Sequence, residues 1–232
     1  RWNAWAALAI VVPLVAIDVT FLSSNLLKIP EGGWFPIVVG GVVFTMLTTW
    51  KRGRAILLER LNAETMPIDL FIESIAANPP MRVPGTAVFL TSTPNRAPHA
   101  LLHNLKHNKV LHERVVLLTM TTRDIPTVPL SDRVQIRDLG CNFQQFEAFF
   151  GFKEDPDVPE LLEECGRRGQ PFDMMETSFF VSRETLIATE APGMALWRER
   201  LFVSMAKNAT KAIEFFNVPA NRVVELGTQV EL

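Results

Sequence analysis

The stretch WFPIVVGGVVFTMLTTWKRGR, residues 34–54, decides the architecture of this chain of 232 residues. An apolar run of 17 residues without a charge lies between Trp34 and Trp50. With the two preceding glycines the run is just long enough to cross the ~30 Å hydrocarbon core at ~1.5 Å per residue. Tryptophans at both ends fit an aromatic belt. The stretch predicts a membrane-spanning helix with a basic stop formed by Lys51, Arg52 and Arg54.

A second apolar stretch, residues 4–24, precedes it and contains one charged residue, Asp18. Pro30 and a glycine pair lie between the two stretches and punctuate two helices. The sequence therefore predicts a transmembrane hairpin with spans at about 4–24 and 32–50. A secretory signal peptide, with its shorter apolar region, and a buried hairpin of a soluble protein are the alternatives.

Lysine and arginine collect at the cytoplasmic ends of spans. Three basic residues follow the second span and Arg1 precedes the first, against only Lys28 between them. Both ends of the hairpin are therefore predicted to face the cytoplasm. An ionisable group inside a span is costly and suggests a function, so Asp18 is a candidate for an ion pathway. A structural or interfacial role is the alternative, because Asp18 lies within two turns of the connection at Asn25.

Residues 51–232 carry 21 basic and 23 acidic residues. This near-neutral balance argues against nucleic acid as a partner and against a polybasic lipid patch. Cys141 and Cys165 have no close spacing that suggests a metal or redox motif, which fits a reducing compartment. The length after residue 54 suffices for one domain with its own core.

The pattern after residue 80 changes to short runs of branched apolar residues. Residues 85–91 and 114–120 are predicted strands, and residues 98–110 between them have a helical pattern, which is the order of a βαβ unit. We predict a hairpin (1–54), a helical linker (55–82) and a cytoplasmic α/β domain with a mixed sheet (83–232). Further strands are predicted at 133–139, 143–152, 174–183 and 222–231, and further helices at 158–168 and 194–217.

The last predicted helix, residues 194–217, has an apolar stripe that is typical of a core-facing side. Charged residues, including Arg198 and Glu199, fall mostly on its other side. The stripe consists of Trp197, Leu201, Phe202, Met205, Ala209, Ala212, Ile213 and Phe216.

His99, His103 and His107 have i, i+4, i+8 spacing on a predicted helix. Neighbouring turns could aim two imidazoles at one metal ion. Three consecutive turns span about 12 Å, too far for one tetrahedral ion. A two-histidine site with an outside carboxylate, in a membrane-anchored metal enzyme, is one alternative, and packing at a domain or subunit surface is the other. With no phosphate-binding glycine loop or nucleophile elbow in the sequence, we expect neither an enzyme nor a cofactor.

Five motifs in order resemble the Kup (KUP/HAK/KT) family of potassium uptake transporters. They are KIPEGGWFPIVVGGVVFTMLTTWKRGR (28–54), VPGTAVFLTSTP (83–94), HNLKHNKVLHERVVLLT (103–119), METSFFVSRETL (175–186) and NRVVELGTQVEL (221–232). The resemblance extends over essentially the whole chain.

This resemblance implies a proton-coupled potassium symporter of the inner membrane, with an APC-type, LeuT-like membrane domain and a cytoplasmic C-terminal domain. The chain resembles only the last two spans and that domain. The family's potassium site lies among earlier helices, so the resemblance assigns no potassium ligand to any residue of this chain. The chain is expected to be structural or regulatory, part of a homodimer, and unable to transport alone. The alternative is a membrane-anchored sensor or adaptor with an α/β ligand-binding tail.

Overall fold

A computed structural model describes residues 3–63, 65–189, 193–209 and 216–231. The chain divides into two compact units, Arg1–Arg52 and Gly53–Leu232. The boundary falls inside a helix, close to the predicted boundary at residue 54.

The first unit is built from apolar helix. Helix α1 spans Ala4–Leu27, and helix α2 begins at Trp34 and continues to Ala63. A π-helical turn, Ile29–Gly33, separates them, and Gly32 takes a φ of 119°, which breaks the helical path where Pro30 and the glycines predicted it. By length and composition, Leu8–Leu27 and Ile29–Ala63 could each cross a membrane. The apolar side chains described in α1 are exposed, as expected for a surface that lipid or protein covers.

Among the described residues of the second unit, six strands form one mixed sheet in the order β3-β4-β2-β1-β5-β6. All neighbouring strands are parallel except β3 and β4, which are antiparallel. The predicted strands and the predicted mixed sheet are therefore confirmed. The strands are β1 Met81–Leu90, β2 Val110–Arg123, β3 Val134–Gly140, β4 Phe143–Gly151, β5 Thr177–Ile187 and β6 Val223–Glu231.

Helices cover both faces of the sheet. Because successive side chains of a strand point to opposite faces, Val88 of β1 lies in one apolar cluster and Phe89 lies in another. The first cluster lies under α5 and the second under α3 and α4. Part of the predicted 55–82 linker, α3, thus contributes to the core. The helices are α3 Ile68–Ala77, α4 His99–Asn108, α5 Val158–Arg167 and α6 Leu196–Lys207.

The connections between β1 and β2 and between β3 and β4 explain the relative directions of these strands. The β1–α4–β2 segment is the predicted βαβ unit, and its two strands are parallel. Between β3 and β4 the turn is too short for a crossover, and Gly140, Cys141 and Asn142 all take positive φ. Such a tight turn can only join antiparallel neighbours.

The last predicted helix, 194–217, was wrong in its length, and its predicted buried stripe is only partly confirmed, because Phe202 is buried and Phe216 packs against the first apolar cluster. Helix α6 ends at Lys207, and residues 210–215 of the predicted helix, including Ala212 and Ile213, lie outside the described residues. Glu199 and Phe202 are fully buried, whereas Trp197 is 59% exposed. Trp197 and Phe202 are five residues apart, about 140° around a helix, so they cannot share one buried side.

Both cysteines are free thiols. Cys141 is exposed in the β3–β4 turn, and Cys165 is buried under the sheet. Burial raises the pKa of Cys165 to about 11, which makes it an inert core residue.

Candidate functional site

The sheet order creates a crevice beside β1. The chain passes from β1 to β2 on one side, and β5 pairs with β1 on the other side. In open α/β sheets, ligands bind outside the carboxyl ends of the strands where the connections diverge in this way. Here that position is occupied by the β1–α4 loop, residues 91–98, and by the second half of β5.

A cavity of about 290 Å³ lies at this position. Its size is at the lower end of the range for small-molecule sites. Apolar strand residues, such as Leu90 at the end of β1 and Val181 near the middle of β5, form part of its wall. The polar part of the lining consists of Arg54, Asn62, Thr65, Thr91, Ser92, Thr93, Arg96, His99, Ser182 and Glu184.

One side of the cavity is formed by the last turns of α2, which Arg96 holds in place. The Arg96 guanidinium donates from Nε to Thr65 Oγ1 at 2.7 Å and from Nη2 to the Asn62 carbonyl at 2.6 Å. It also donates to the Thr65 carbonyl. His99 Nε2 lies 3.1 Å from the Leu61 carbonyl oxygen. These contacts supply partners to terminal helix carbonyls, which have none within the helix.

Backbone hydrogen bonds strengthen the same attachment. The Ala97 amide donates to the Met66 carbonyl at 3.0 Å, and the Ile68 amide donates to the Asn95 carbonyl at 3.1 Å. A cation near a helix C-terminus is also favourable to the helix dipole. We call the contacts of Arg96 and His99 with Leu61, Asn62 and Thr65 the α2 anchor. It joins the end of α2 to the loop that follows the central strand.

The structure separates the three histidines of the predicted metal alternative. His99 contacts the end of α2, while the rings of His103 and His107 lie 5.7 Å apart, with His107 exposed. In the part of the chain that the structure describes, no three His, Cys, Asp or Glu residues form a group that could hold a metal ion. The fourth histidine, His112 on β2, has a buried Nδ1 without a hydrogen-bond partner, and burial lowers its pKa.

The remaining predicted residues lie on the two long helices. Asp18 is exposed on α1. Lys51 and Arg52 are exposed on α2, and Arg54, one turn further from Trp50, lines the cavity. Sequence reasoning missed Arg96 and the cavity. The only signal for them was a polar loop, TSTPNRAP, directly after an apolar strand.

Comparison with known proteins places these features in context. Residues 1–55 match the family model described as the K+ potassium transporter integral membrane domain, and residues 84–232 match the K+ potassium transporter C-terminal domain. The chain therefore combines part of a transporter's membrane domain with its C-terminal domain. It belongs to the Kup family of potassium transporters.

Related proteins share about half of its residues. A "Probable potassium transport system protein Kup 2" of Chromobacterium violaceum is 53% identical over the whole chain, which covers 37% of that protein. A Kup protein of Azoarcus sp. is 52% identical, with 36% of its length covered, and one of Aromatoleum aromaticum is 55% identical over 94% of this chain and 34% of its own. The chain thus spans about a third of these relatives. No solved structure matches it.

Proposed function

We propose that this chain is the C-terminal part of a proton-coupled potassium symporter that takes up potassium across the inner membrane. Its support is the match to both family models in chain order and the names of its relatives. In this proposal, α1 and the first part of α2 are the last two spans of an APC-type, LeuT-like membrane domain. The α/β domain is cytoplasmic, and the intact protein is a homodimer.

The α2 anchor is the observation that supports a regulatory role for the α/β domain. Helix α2 is continuous from Trp34 to Ala63, so the part with the length and composition of a span and the anchored part belong to the same helix. Arg96 of the β1–α4 loop and His99 at the start of α4 bind its last turn. We infer that the domain holds the end of α2 in the arrangement that the last span needs in order to move during transport. Loss of this hold would slow conformational steps rather than change ion binding.

The cavity favours a second candidate, a membrane-anchored sensor or adaptor with a ligand-binding tail. Arg96 and His99 line the cavity and also form the anchor, so a small ligand there would contact the residues that hold α2. The reading frame before Arg1 distinguishes the two candidates. A symporter requires many further spans upstream, and a free-standing sensor does not.

Rubidium uptake by the intact protein, in cells that lack their own potassium uptake systems, tests the proposal. Rubidium should enter together with protons and compete with potassium. Because Asp18 is the only ionisable residue of α1, we propose it as a group on the ion pathway. Asp18→Asn should reduce uptake at least tenfold and remove proton entry, while Asp18→Glu retains both. Unchanged proton coupling in the Asn variant would assign Asp18 a structural role, and no rubidium uptake by the unmodified protein would contradict the proposal itself.

A further inference from the structure

Helix α6 contacts α2 just beyond the end of its apolar stretch. The Phe202 ring lies so close to Gly53 that a Cβ on Gly53 would be 2.4 Å from two ring carbons. Earlier in the chain, a Cβ on Gly193 would be 3.2 Å from Cδ1 of Ile56. Gly53 thus provides the close approach of the two helices.

These two contacts show that α6 crosses α2 instead of running alongside it. Gly53 and Ile56 are three residues apart, about 4.5 Å along α2. From Leu196 to Phe202, α6 itself advances about 9 Å. Gly53 also follows Trp50, the last residue of the apolar stretch, by about 4.5 Å of helix. The headgroup layer is roughly 5–8 Å thick on each side of the hydrocarbon core, so the crossing falls within it.

The two sides of α6 differ in chemistry. Glu199 and Phe202 are fully buried, and Glu199 Oε2 accepts a hydrogen bond from the Thr189 amide at 3.2 Å. On the opposite side Trp197 is 59% exposed, and Arg200 and Lys207 are exposed as well. Glu199 is the only acidic residue of α6, so the exposed charges of this helix are all positive. The nearly neutral composition of residues 51–232 does not reveal this local excess of positive charge.

We propose that α6 lies in the headgroup layer of the bilayer and binds anionic lipid. Tryptophan, with an apolar ring and a polar N–H, favours the membrane interface. Arg200 and Lys207 then contact lipid phosphates, as basic residues of interfacial helices do. Trp197, about 160° from Glu199 around the helix, lies on the exposed side of α6, where it contacts the lipid. The occupant is lipid because the helix crosses at the end of the apolar stretch and carries complementary charge.

Quenching by brominated lipid tests this proposal. The full chain, with Trp2, Trp5, Trp34 and Trp50 replaced by Phe, is reconstituted in vesicles of phosphatidylcholine and phosphatidylglycerol brominated near the headgroup end of the acyl chain. We expect Trp197 to lose at least half of its fluorescence. The matched control carries Trp197→Phe and Met175→Trp in the same background, so its single tryptophan lies before β5 at a position that is 73% exposed. This tryptophan should lose almost none of its fluorescence. The pair Arg200→Glu and Lys207→Glu should reduce the quenching of Trp197 only when phosphatidylglycerol is present.

The same measurement separates the other occupants of this face. An unquenched Trp197 with blue-shifted emission would show that protein covers it, from the remaining membrane domain or a second copy. An unquenched Trp197 with red-shifted emission would show water around it. Either result overturns the proposal. If the multiple replacement prevents folding, the unmodified chain and Trp197→Phe are compared, and equal quenching of the two also overturns it.

Discussion

Removing residues 55–232 from the intact transporter is expected to lower the maximal rate of rubidium uptake several-fold and to leave its dependence on potassium concentration unchanged. The deletion removes both the last turns of α2 and the residues that hold them, Arg96 and His99. It removes no residue of the predicted spans. The rate of conformational change should therefore fall, while the affinity of the ion site stays the same.

This comparison needs equal amounts of both proteins in the membrane, so each carries the same fluorescent label and uptake is divided by the label signal. Oligomeric state is measured on the same samples, because loss of assembly would also follow from loss of the domain. Unchanged uptake, potassium dependence and oligomeric state would together contradict the proposed role of the domain.

Phe146→Ala is expected to cost about 3–5 kcal/mol of the free energy of unfolding. Phe146 lies on β4, is fully inaccessible to solvent and contacts the edge of Phe172 with a centroid distance of 5.9 Å. Its removal would leave a cavity between the sheet and α5 that rigid neighbours cannot fill. Since domains have about 5–15 kcal/mol of stability in total, much of the population would unfold under mild denaturant.

Urea unfolding of the full chain, followed by far-ultraviolet circular dichroism, measures this loss. The matched control is Phe152→Ala, which makes the same change one residue beyond β4 at a site that is 59% exposed. That variant should lose less than about 1 kcal/mol. Equal losses at the two positions would show that the core is not centred where the structure places it.

The strands could be predicted because the pattern of apolar residues in their sequences indicates which faces are buried. In β2 the run RVVLLTM has buried side chains on both faces, as parallel strands covered by helices on both sides do. The antiparallel β3–β4 pair follows from a turn of only two residues, Cys141 and Asn142. Local sequence was sufficient in both cases, because the deciding interactions are local or depend on apolar periodicity.

Helix α6 and the cavity could not be predicted in the same way. The predicted apolar stripe included both Trp197 and Phe202, and the tertiary contact with Gly53 selects the side that carries Phe202. The buried Glu199 carboxylate accepts a hydrogen bond from the backbone amide of Thr189, two residues beyond β5, which the helical pattern of the sequence does not indicate. The partners of Arg96 are mostly backbone carbonyls, and no sequence pattern marks a carbonyl as a partner.

In the proposed function, the α/β domain acts on the transporter through its hold on α2. The most direct test is rubidium uptake by the intact transporter carrying Arg96→Ala, compared with Arg114→Ala. Arg114 also makes three hydrogen bonds within the domain, to Gln144, Gln170 and the Pro171 carbonyl, but none of them to α2. At equal amounts in the membrane, Arg96→Ala should lower the maximal rate several-fold without changing the half-saturating potassium concentration, and Arg114→Ala should transport at close to the original rate. An Arg96→Ala transporter as fast as the original would show that the α2 anchor has no role in transport.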